Sequence, residues 1–370
     1  MLIGVPKEIK NHEYRVGLTP ESVAELIHDG QSVIVETQAG SGIGTSDQAY
    51  KDAGAEIVST AAEVFERAEM VIKVKEPQAA ERAMLREGQV LYTYLHLAPD
   101  PEQTKDLIKS KAVCIAYETV TDDSGGLPLL TPMSQVAGRL AIQVGATALQ
   151  KNGGGRGVLL GGVPGVAPAK VVVIGGGDVG FNAAQMAVGL QADVTILDRN
   201  NEVMERLNYH FGATAKVVRS TPAVLADLIK TADMVVGAVL IPGAAAPKLV
   251  TKEMLSTMMD GSVLVDVAID QGGCFETSKA TTHDDPTYIV DGVVHYCVAN
   301  MPGAVARTST YALNAATLSH AKRIARHGWK GALKADPHLL NGLNVCHGKL
   351  TYAAVGEALG LDYVDAESCL

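Results

Sequence analysis

A strand, a glycine-rich turn, a helix and a second strand follow one another in the middle of this chain, and no other feature restricts its fold as strongly. Residues 170–174 form an apolar, β-branched run that leads directly into a glycine cluster. An alanine-rich segment of helical character follows over residues 179–190, and a second apolar run ends at Asp198. This order predicts a βαβ unit of a parallel sheet, with the glycines at the turn into the helix.

The glycine cluster contains the pattern G-x-G-x-x-G at Gly175, Gly177 and Gly180, which occurs by chance in glycine-rich chains and is interpretable only in its context. Glycines at these places permit a tight turn and the close approach of a pyrophosphate, whose charge the helix N-terminus stabilises. Asp198 can accept from ribose hydroxyls and repel a 2′-phosphate, which favours NAD over NADP although Arg199 is next to it. The alternative is a glycine turn beside a buried strand, with Asp198 a solvated strand end.

The same alternation of short apolar runs and helical stretches extends over most of the chain, and it predicts an α/β fold. We expect two doubly wound lobes with a cleft between them, the second a Rossmann dinucleotide-binding domain of six strands in outline. Long helices are predicted at 134–150 and 308–327, and the tail is expected to return to the first lobe. The predicted strands are residues 2–5, 32–36, 70–74, 90–95 and 113–117 in the first lobe, and 171–174, 193–197, 216–219, 234–239 and 262–267 in the second.

Composition limits the classes of protein to which the chain can belong. Its 370 residues suit two domains, and a 47% hydrophobic content supports packed cores. The net charge is −10 and no lysine- or arginine-rich run is present, so nucleic acid is not an expected partner. The first residues become charged too early for a signal peptide, and no charge-free run reaches about 18 residues, which predicts a cytoplasmic protein without a membrane segment. Five widely spaced cysteines predict free thiols and no metal site.

Further blocks of sequence outside the glycine cluster occur from one end of the chain to the other. They are Gly-Val-Pro-Lys-Glu at residues 4–8, Glu-Tyr-Arg-Val-Gly-Leu-Thr-Pro at 13–20, Val-Lys-Glu-Pro at 74–77, Tyr-Leu-His-Leu-Ala at 94–98, Ile-Asp-Gln-Gly-Gly at 269–273 and Val-Ala-Asn-Met-Pro-Gly-Ala at 298–304. In this order they resemble the alanine dehydrogenase family, which shares its fold with the NAD-binding subunit of proton-pumping transhydrogenase. The resemblance covers nearly the whole chain.

The resemblance implies an activity and a domain organisation. The activity is the NAD-dependent oxidative deamination of L-alanine to pyruvate and ammonium, and its reversal. The implied substrate lobe is discontinuous, with residues 1–129 and 309–370, and a Rossmann NAD-binding domain of residues 130–308 is inserted in it. The active site is then expected in the cleft, the assembly is expected to be a homohexamer, and the other partners are small molecules.

Amino-acid oxidation requires a clamp for the carboxylate, groups that carry protons and a hydride acceptor. By resemblance, Arg15 binds the substrate carboxylate, which a guanidinium can hold through two parallel N–H contacts, and Lys75 contacts the carboxylate or the keto oxygen. His96, at the end of an apolar run, is the expected general acid–base, and Asp270, after a predicted strand, is expected to orient water or to assist proton transfer. Without the resemblance, the alternatives for these four are a surface arginine, a solvated lysine, a partly buried histidine and a turn-forming aspartate.

Further contacts to the cofactor are implied by the resemblance alone, and several follow predicted strands. They are Ser134, Val179, Ser220, Val239, Leu240, Val267, Asp270, Val298, Asn300 and Met301.

Two other functions remain open at this point. One is a transhydrogenase subunit that binds NAD(H) for a membrane complex without binding an amino acid, and the other is a non-catalytic NAD-binding protein. A subunit of that kind does not need Arg15, Lys75, His96 and Asp270 together, so their joint presence favours the amino-acid dehydrogenase.

Overall fold

The computed structural model describes residues 1–239 and 246–370, which form two compact units. Unit 1 contains Met1–Met133 and Gly303–Leu370, and unit 2 contains Ser134–Pro302. The strands, in chain order, are β1 (Leu2–Val5), β2 (Ser32–Glu36), β3 (Glu56–Val58), β4 (Met70–Ile72), β5 (Val90–Thr93), β6 (Val113–Ala116), β7 (Lys170–Ile174), β8 (Asp193–Asp198), β9 (Ala215–Arg219), β10 (Met234–Gly237), β11 (Val263–Asp266), β12 (Thr287–Val290), β13 (Val293–Tyr296), β14 (Leu343–Cys346) and β15 (Lys349–Leu350).

Helices connect these strands, and side chains cap many of their N-termini. Thr19, Thr60 and Asp100, for example, each accept a hydrogen bond from a backbone N–H of the first turn that follows. The α-helices are α1 (Pro20–His28), α2 (Asp47–Asp52), α3 (Ala61–Arg67), α4 (Ala79–Arg82), α5 (Pro101–Ser110), α6 (Thr131–Ala148), α7 (Asp178–Gly189), α8 (Asn201–Phe211), α9 (Pro222–Ile229), α10 (Lys252–Leu255), α11 (Ala306–Ala335), α12 (Pro337–Leu340) and α13 (Ala353–Leu359).

The sheet of unit 1 has the order β15-β14-β6-β5-β4-β1-β2-β3. The strands from β3 to β6 are parallel, whereas β14 and β15 extend the sheet in antiparallel fashion beyond β6. Every residue of β4, β5 and β6 is buried, as expected for parallel strands covered on both faces. The chain order reverses between β1 and β4, and the carboxyl ends at such a reversal are where open α/β sheets bind ligands.

The sheet of unit 2 has the order β12-β13-β11-β10-β7-β8-β9. Its parallel strands wind outward in both directions from β7 and β10, which is the doubly wound order of a Rossmann domain. The predicted six-strand outline was one strand short, because β12 pairs antiparallel with β13 at the edge. Asp291 and Gly292, both with positive φ, form the two-residue turn of this hairpin, and Asp-Gly between apolar runs is its usual sequence signal.

Several predicted strands extend past their observed ends at the carboxyl edge of unit 1. The run predicted at 70–74 leaves the ladder after Ile72, and Val74 donates its N–H to the Glu8 carboxylate at 2.7 Å. The run predicted at 90–95 leaves strand β5 after Thr93, and Leu95 donates to Glu118 at 3.1 Å. Side-chain carboxylates therefore replace strand pairing where the apolar run continues.

The long helix near the C-terminus also differs from its prediction at 308–327. Helix α11 runs from Ala306 to Ala335 and is interrupted at Gly328, whose φ of 67° and ψ of 158° are not helical. Within the described ranges, no helix combines the length and apolarity needed to cross a bilayer.

Candidate active site

The carboxyl edge of the unit 1 sheet carries a group of charged side chains. Glu8 follows β1, Lys75 follows β4, His96 follows β5 and Glu118 follows β6. Because the carboxyl ends of neighbouring parallel strands lie at one edge, the fold brings together residues that are far apart in the sequence. Arg15, in the loop after β1, interacts electrostatically with Glu8 at this edge.

Arg15 is almost fully buried, with 2% of its surface exposed, and is paired with Glu13. Its Nε donates to Glu13 Oε1 at 2.7 Å and its Nη2 to Glu13 Oε2 at 2.5 Å, while Nη1 contacts Met133 Sδ at 3.1 Å. Burial alone would lower the pKa of Arg15, but the Glu13 carboxylate outweighs it and the pKa is raised. Arg15 is therefore a fixed cation that is paired with Glu13 and also contacts the Met133 thioether, a weak acceptor.

Lys75 is anchored through its backbone on both sides. Its N–H donates to Glu8 Oε1 at 3.4 Å, and its carbonyl accepts from Thr93 Oγ1 at 3.0 Å. The side chain is 11% exposed, and its Nζ lies 4.0 Å from Glu76 Oε2. The ammonium of Lys75 is thus held near the sheet edge without a short ion pair to Glu76.

A buried ion cluster lies behind Lys75 and was not anticipated from the sequence. Lys73 is fully buried, and its Nζ donates to Glu8 Oε2 at 3.0 Å and to Glu81 Oε1 at 2.6 Å. Burial would lower the pKa of Lys73, but the two carboxylates raise it overall. Because Glu8 also accepts from the backbone of Val74, the cluster fixes the segment that carries Lys75.

His96 adopts a left-handed backbone conformation with φ of 50°, which only a few per cent of residues other than glycine adopt. Glu118 stabilises this turn by accepting the His96 N–H at 2.6 Å. The ring stacks on Tyr94 at a centroid distance of 5.7 Å, and its Nδ1 is 3.9 Å from Glu118 Oε1, too far for a hydrogen bond. The side chain is 40% exposed, so the imidazole is positioned but accessible for proton transfer.

In unit 2, the glycines between β7 and α7 differ in the space around them. A Cβ on Gly180 would lie 1.7 Å from the Gly175 carbonyl oxygen, so the helix can approach the strand only with glycine there. Gly175 itself has φ of 99° and leaves only 2.7 Å between a Cβ and the Ala238 carbonyl oxygen. A Cβ on Gly177, in contrast, meets no atom of the described residues within 4 Å. The helix N-terminus therefore has open space in front of Gly177.

Asp198 lies at the end of β8, beside this turn. Its Oδ2 accepts from the Gly176 N–H at 2.6 Å, and its Oδ1 accepts from the N–H groups of Arg199 and Asn200 at 2.7 and 2.8 Å. The Ser220 N–H donates to the Asp198 carbonyl at 2.7 Å, so the ends of β8 and β9 meet here. A carboxylate can accept about four hydrogen bonds, and Oδ2 therefore keeps acceptor capacity.

The other predicted cofactor residues occupy several places in unit 2. Ser134 lies in the first turns of α6, and Val179 lies in the first turn of α7. Five further predicted cofactor residues follow parallel strands of unit 2. The carboxyl ends of these strands lie at the same edge of the sheet as the glycine turn. The five residues are Val239 after β10, Val267 after β11, and Val298, Asn300 and Met301 after β13. Leu240 lies outside the described residues.

Asp270 does not close a strand, as the sequence had indicated. Strand β11 ends at Asp266, and Asp270 is exposed on the 3₁₀ turn Val267–Gln271. The buried carboxylate at the strand end is Asp266, which accepts from the Cys274 N–H at 2.9 Å and from the Ser278 hydroxyl. Burial raises the pKa of Asp266 despite these bonds. Asp266 thus organises the loop that carries Asp270.

Two family models together match most of the chain. The model described as "Alanine dehydrogenase/PNT, N-terminal domain" matches residues 4–137, and the one described as "Alanine dehydrogenase/PNT, C-terminal domain" matches residues 141–353.

Individual relatives agree with the family models over the full length. An alanine dehydrogenase of Halomonas elongata is 60% identical over 370 residues, which is all of both chains. A solved L-alanine dehydrogenase structure superposes with a TM-score of 0.94 at 52% identity and covers 97% of this chain and 99% of its own. A transhydrogenase structure from Sinorhizobium meliloti matches less closely, with a TM-score of 0.82 at 26% identity over 95% of this chain and all of its own. This chain therefore belongs to the alanine dehydrogenase/PNT family.

Proposed function

We propose that this chain is an L-alanine dehydrogenase that uses NAD. The balanced reaction converts L-alanine, NAD⁺ and water to pyruvate, ammonium, NADH and a proton, and it is reversible. The observation that carries the proposal is the grouping of a buried arginine, an anchored lysine and an accessible histidine at the sheet edge of unit 1, in a chain similar along its whole length to alanine dehydrogenases. These three groups can bind a carboxylate and move a proton.

Unit 2 supplies the features that suit NAD, which accepts the hydride when it is bound. The open space before Gly177 lets a pyrophosphate approach the N–H groups of α7, and the helix dipole favours its charge. The remaining capacity of Asp198 Oδ2 suits a ribose hydroxyl, and its charge disfavours a 2′-phosphate. The other proposed contacts are Gly175, Val179, Gly180, Ser134, Ser220, Val239, Leu240, Val267, Asp270, Val298, Asn300 and Met301.

Arg15 and Lys75 are proposed to hold the substrate carboxylate. The Nη1 side of Arg15 contacts the Met133 thioether, which a carboxylate can replace as a much stronger acceptor. Lys75 adds a second cation whose backbone cannot shift easily, because Glu8 and Thr93 hold it from both sides. A substrate fixed in this way presents its Cα in one orientation.

His96 is proposed to carry protons in the hydrolytic step. The substrate ammonium first gives up one proton, which is the proton released in the overall reaction, and hydride loss from Cα then leaves an iminium. Water must lose a proton as it attacks that carbon. His96 accepts this proton and returns one to the leaving amine, and it is partly exposed as such exchange requires. Asp270, an exposed carboxylate of unit 2, is proposed to orient water or to assist these transfers.

The family resemblance also supports proposals about organisation. Unit 1 is proposed to bind the amino acid and unit 2 to bind NAD. The domain boundaries expected from the sequence, 129–130 and 308–309, lie four and six residues from the boundaries of the units. A homohexameric assembly is proposed on the same basis. A cytoplasmic location is proposed because all five cysteines are free thiols, as a reducing compartment favours.

A direct spectrophotometric assay tests the proposed function. Purified protein is given L-alanine with NAD or with NADP, and the appearance of reduced cofactor is followed by absorbance. We expect rapid turnover with NAD and far slower turnover with NADP. NADH binding without any turnover of an amino acid would instead favour the transhydrogenase-type or non-catalytic function.

A further inference from the structure

The proposed reaction needs an anionic group as well as the cations described above. L-Alanine enters as a zwitterion, and ammonium is a product, so both directions involve a positively charged nitrogen. A cation removed from water is stable only where an acceptor replaces its hydration. Arg15 and Lys75 can balance only the carboxylate.

Four other carboxylates around this edge of unit 1 are already committed. Each of Glu8, Glu13, Glu81 and Glu118 uses both of its oxygens on donors of the protein. The donors are Lys73, Val74 and Lys75 for Glu8, Arg15 for Glu13, Lys73 and Gln78 for Glu81, and the backbone of Leu95 and His96 for Glu118.

Glu76 is different. Its Oε1 accepts from the Lys10 ammonium, but its Oε2 is buried and has no hydrogen-bond partner among the residues that the structure describes. The nearest cation, Lys75 Nζ, is 4.0 Å from Oε2, which is beyond hydrogen-bond distance. The side chain as a whole is 14% exposed. A buried carboxylate oxygen without a donor is unfavourable, so a bound donor would stabilise it.

The charge of Glu76 suits a cationic ligand. Burial would raise the pKa of Glu76, but Lys75 and Lys10 outweigh it and the pKa is lowered. The carboxylate is therefore ionised near neutral pH. His96 also interacts electrostatically with it, which places Glu76 near the proposed proton carrier.

We propose that Glu76 Oε2 binds the ammonium group of the substrate amino acid and, in the reverse direction, the ammonium ion that will react. This inference rests on the proposed function. Glu76 is adjacent in the chain to Lys75, so a zwitterion can place its carboxylate at the lysine and its ammonium at the glutamate. An N⁺–H···O⁻ contact of about 2.7–2.9 Å would satisfy the buried oxygen and orient the nitrogen for exchange with His96.

A competing explanation uses only the protein itself. Lys75 could close the 4.0 Å gap and donate to Oε2, in which case Glu76 would act by positioning Lys75. The two explanations differ in which ligand they affect. An ammonium site affects alanine and ammonium, whereas a lysine-positioning role affects pyruvate as well.

The test is Glu76→Gln in reductive amination. Ammonium is varied at saturating pyruvate and NADH, and pyruvate binding to the enzyme–NADH complex is titrated separately by fluorescence without ammonium. We expect the KM for ammonium to rise about 10–100-fold, since a charge-assisted contact is lost, and the KM for L-alanine to rise similarly. Pyruvate affinity should stay within about twofold. Glu56→Gln, an exposed partner of Arg67, is the matched control and should change neither value.

Two results would overturn the proposal. Equal losses for ammonium and pyruvate would assign Glu76 to the positioning of Lys75, and an unchanged KM for ammonium would remove it from the site. Glu76→Asp keeps the charge on a shorter side chain, so its KM for ammonium should lie between the values of the unmodified enzyme and of Glu76→Gln. It provides a second variant if the amide of Glu76→Gln disturbs folding. If the unmodified protein does not oxidise NADH with pyruvate and ammonium, the proposed function itself fails before any variant is compared.

Discussion

Three glycines lie in or just before α7, and replacing each with alanine adds one methyl group. These substitutions can distinguish effects on stability from effects on cofactor binding. A Cβ at Gly180 would lie 1.7 Å from the Gly175 carbonyl oxygen, a backbone atom that cannot rotate away. A Cβ at Gly177 or at Gly189 meets nothing within 4 Å in the part of the chain that the structure describes. Gly177 nevertheless faces the space proposed for the pyrophosphate, whereas Gly189 is the last residue of the helix. The same substitution, glycine to alanine, should therefore have three different outcomes.

The magnitudes follow from these environments. Gly180→Ala forces α7 away from β7 and should cost about 3 kcal/mol, the upper end for overpacking, which corresponds to a fall in Tm of about 6–12 °C for a domain of this size. Gly177→Ala should leave the free energy of unfolding within about 0.5 kcal/mol but weaken NADH binding about 10–100-fold, because the methyl group excludes the phosphate from the helix N–H groups. Gly189→Ala should stabilise the protein by about 0.5–1 kcal/mol with unchanged binding.

Thermal unfolding followed by circular dichroism and NADH titration followed by fluorescence measure the two quantities independently. A Gly180→Ala protein with the unmodified Tm would refute the close-packing argument. A Gly177→Ala protein that binds NADH normally would show that the open space before α7 is not where the pyrophosphate lies.

Much of the fold could be predicted because the parallel strands are buried on both faces and stand out as short apolar runs. Strands β1 and β2 have their predicted bounds, residues 2–5 and 32–36. The predictions extended too far at the carboxyl ends of β4 and β5, because an apolar sequence does not show that Glu8 and Glu118 take over the backbone N–H groups. The predicted strands did not include β3, β12, β13, β14 or β15, although the Asp-Gly turn between β12 and β13 was a usable signal.

The candidate site could be predicted from the sequence only in part, and that part came from the family resemblance. Arg15, Lys75 and His96 were named from family blocks, but their supporting carboxylates were not. A glutamate in a sequence does not reveal whether it is solvated or buried against a partner. Glu8 and Lys73 are 65 positions apart, and Glu118 and His96 are 22 apart, so only the folded sheet brings each pair together.

The remaining substitutions test the proposed roles one at a time. Asp198→Ala removes the charge that disfavours a 2′-phosphate, so the ratio of kcat/KM for NAD to that for NADP should fall about tenfold, and an unchanged ratio would contradict the role. Arg15→Lys keeps the charge but loses the planar fork, so pyruvate should bind about 10–100-fold more weakly in fluorescence titrations at unchanged NADH affinity; equal losses would make Arg15 structural. His96→Ala should lower kcat in both directions about 10²–10⁴-fold without weakening NADH binding, because it removes the proposed proton carrier. The hydrogen bond from His96 to Glu118 uses the backbone N–H of His96 and not its ring. The His96→Ala variant therefore keeps the hydrogen bond that fixes the turn. The loss of activity would then report on proton transfer, and a variant that kept most of its activity would leave Asp270 as the better candidate.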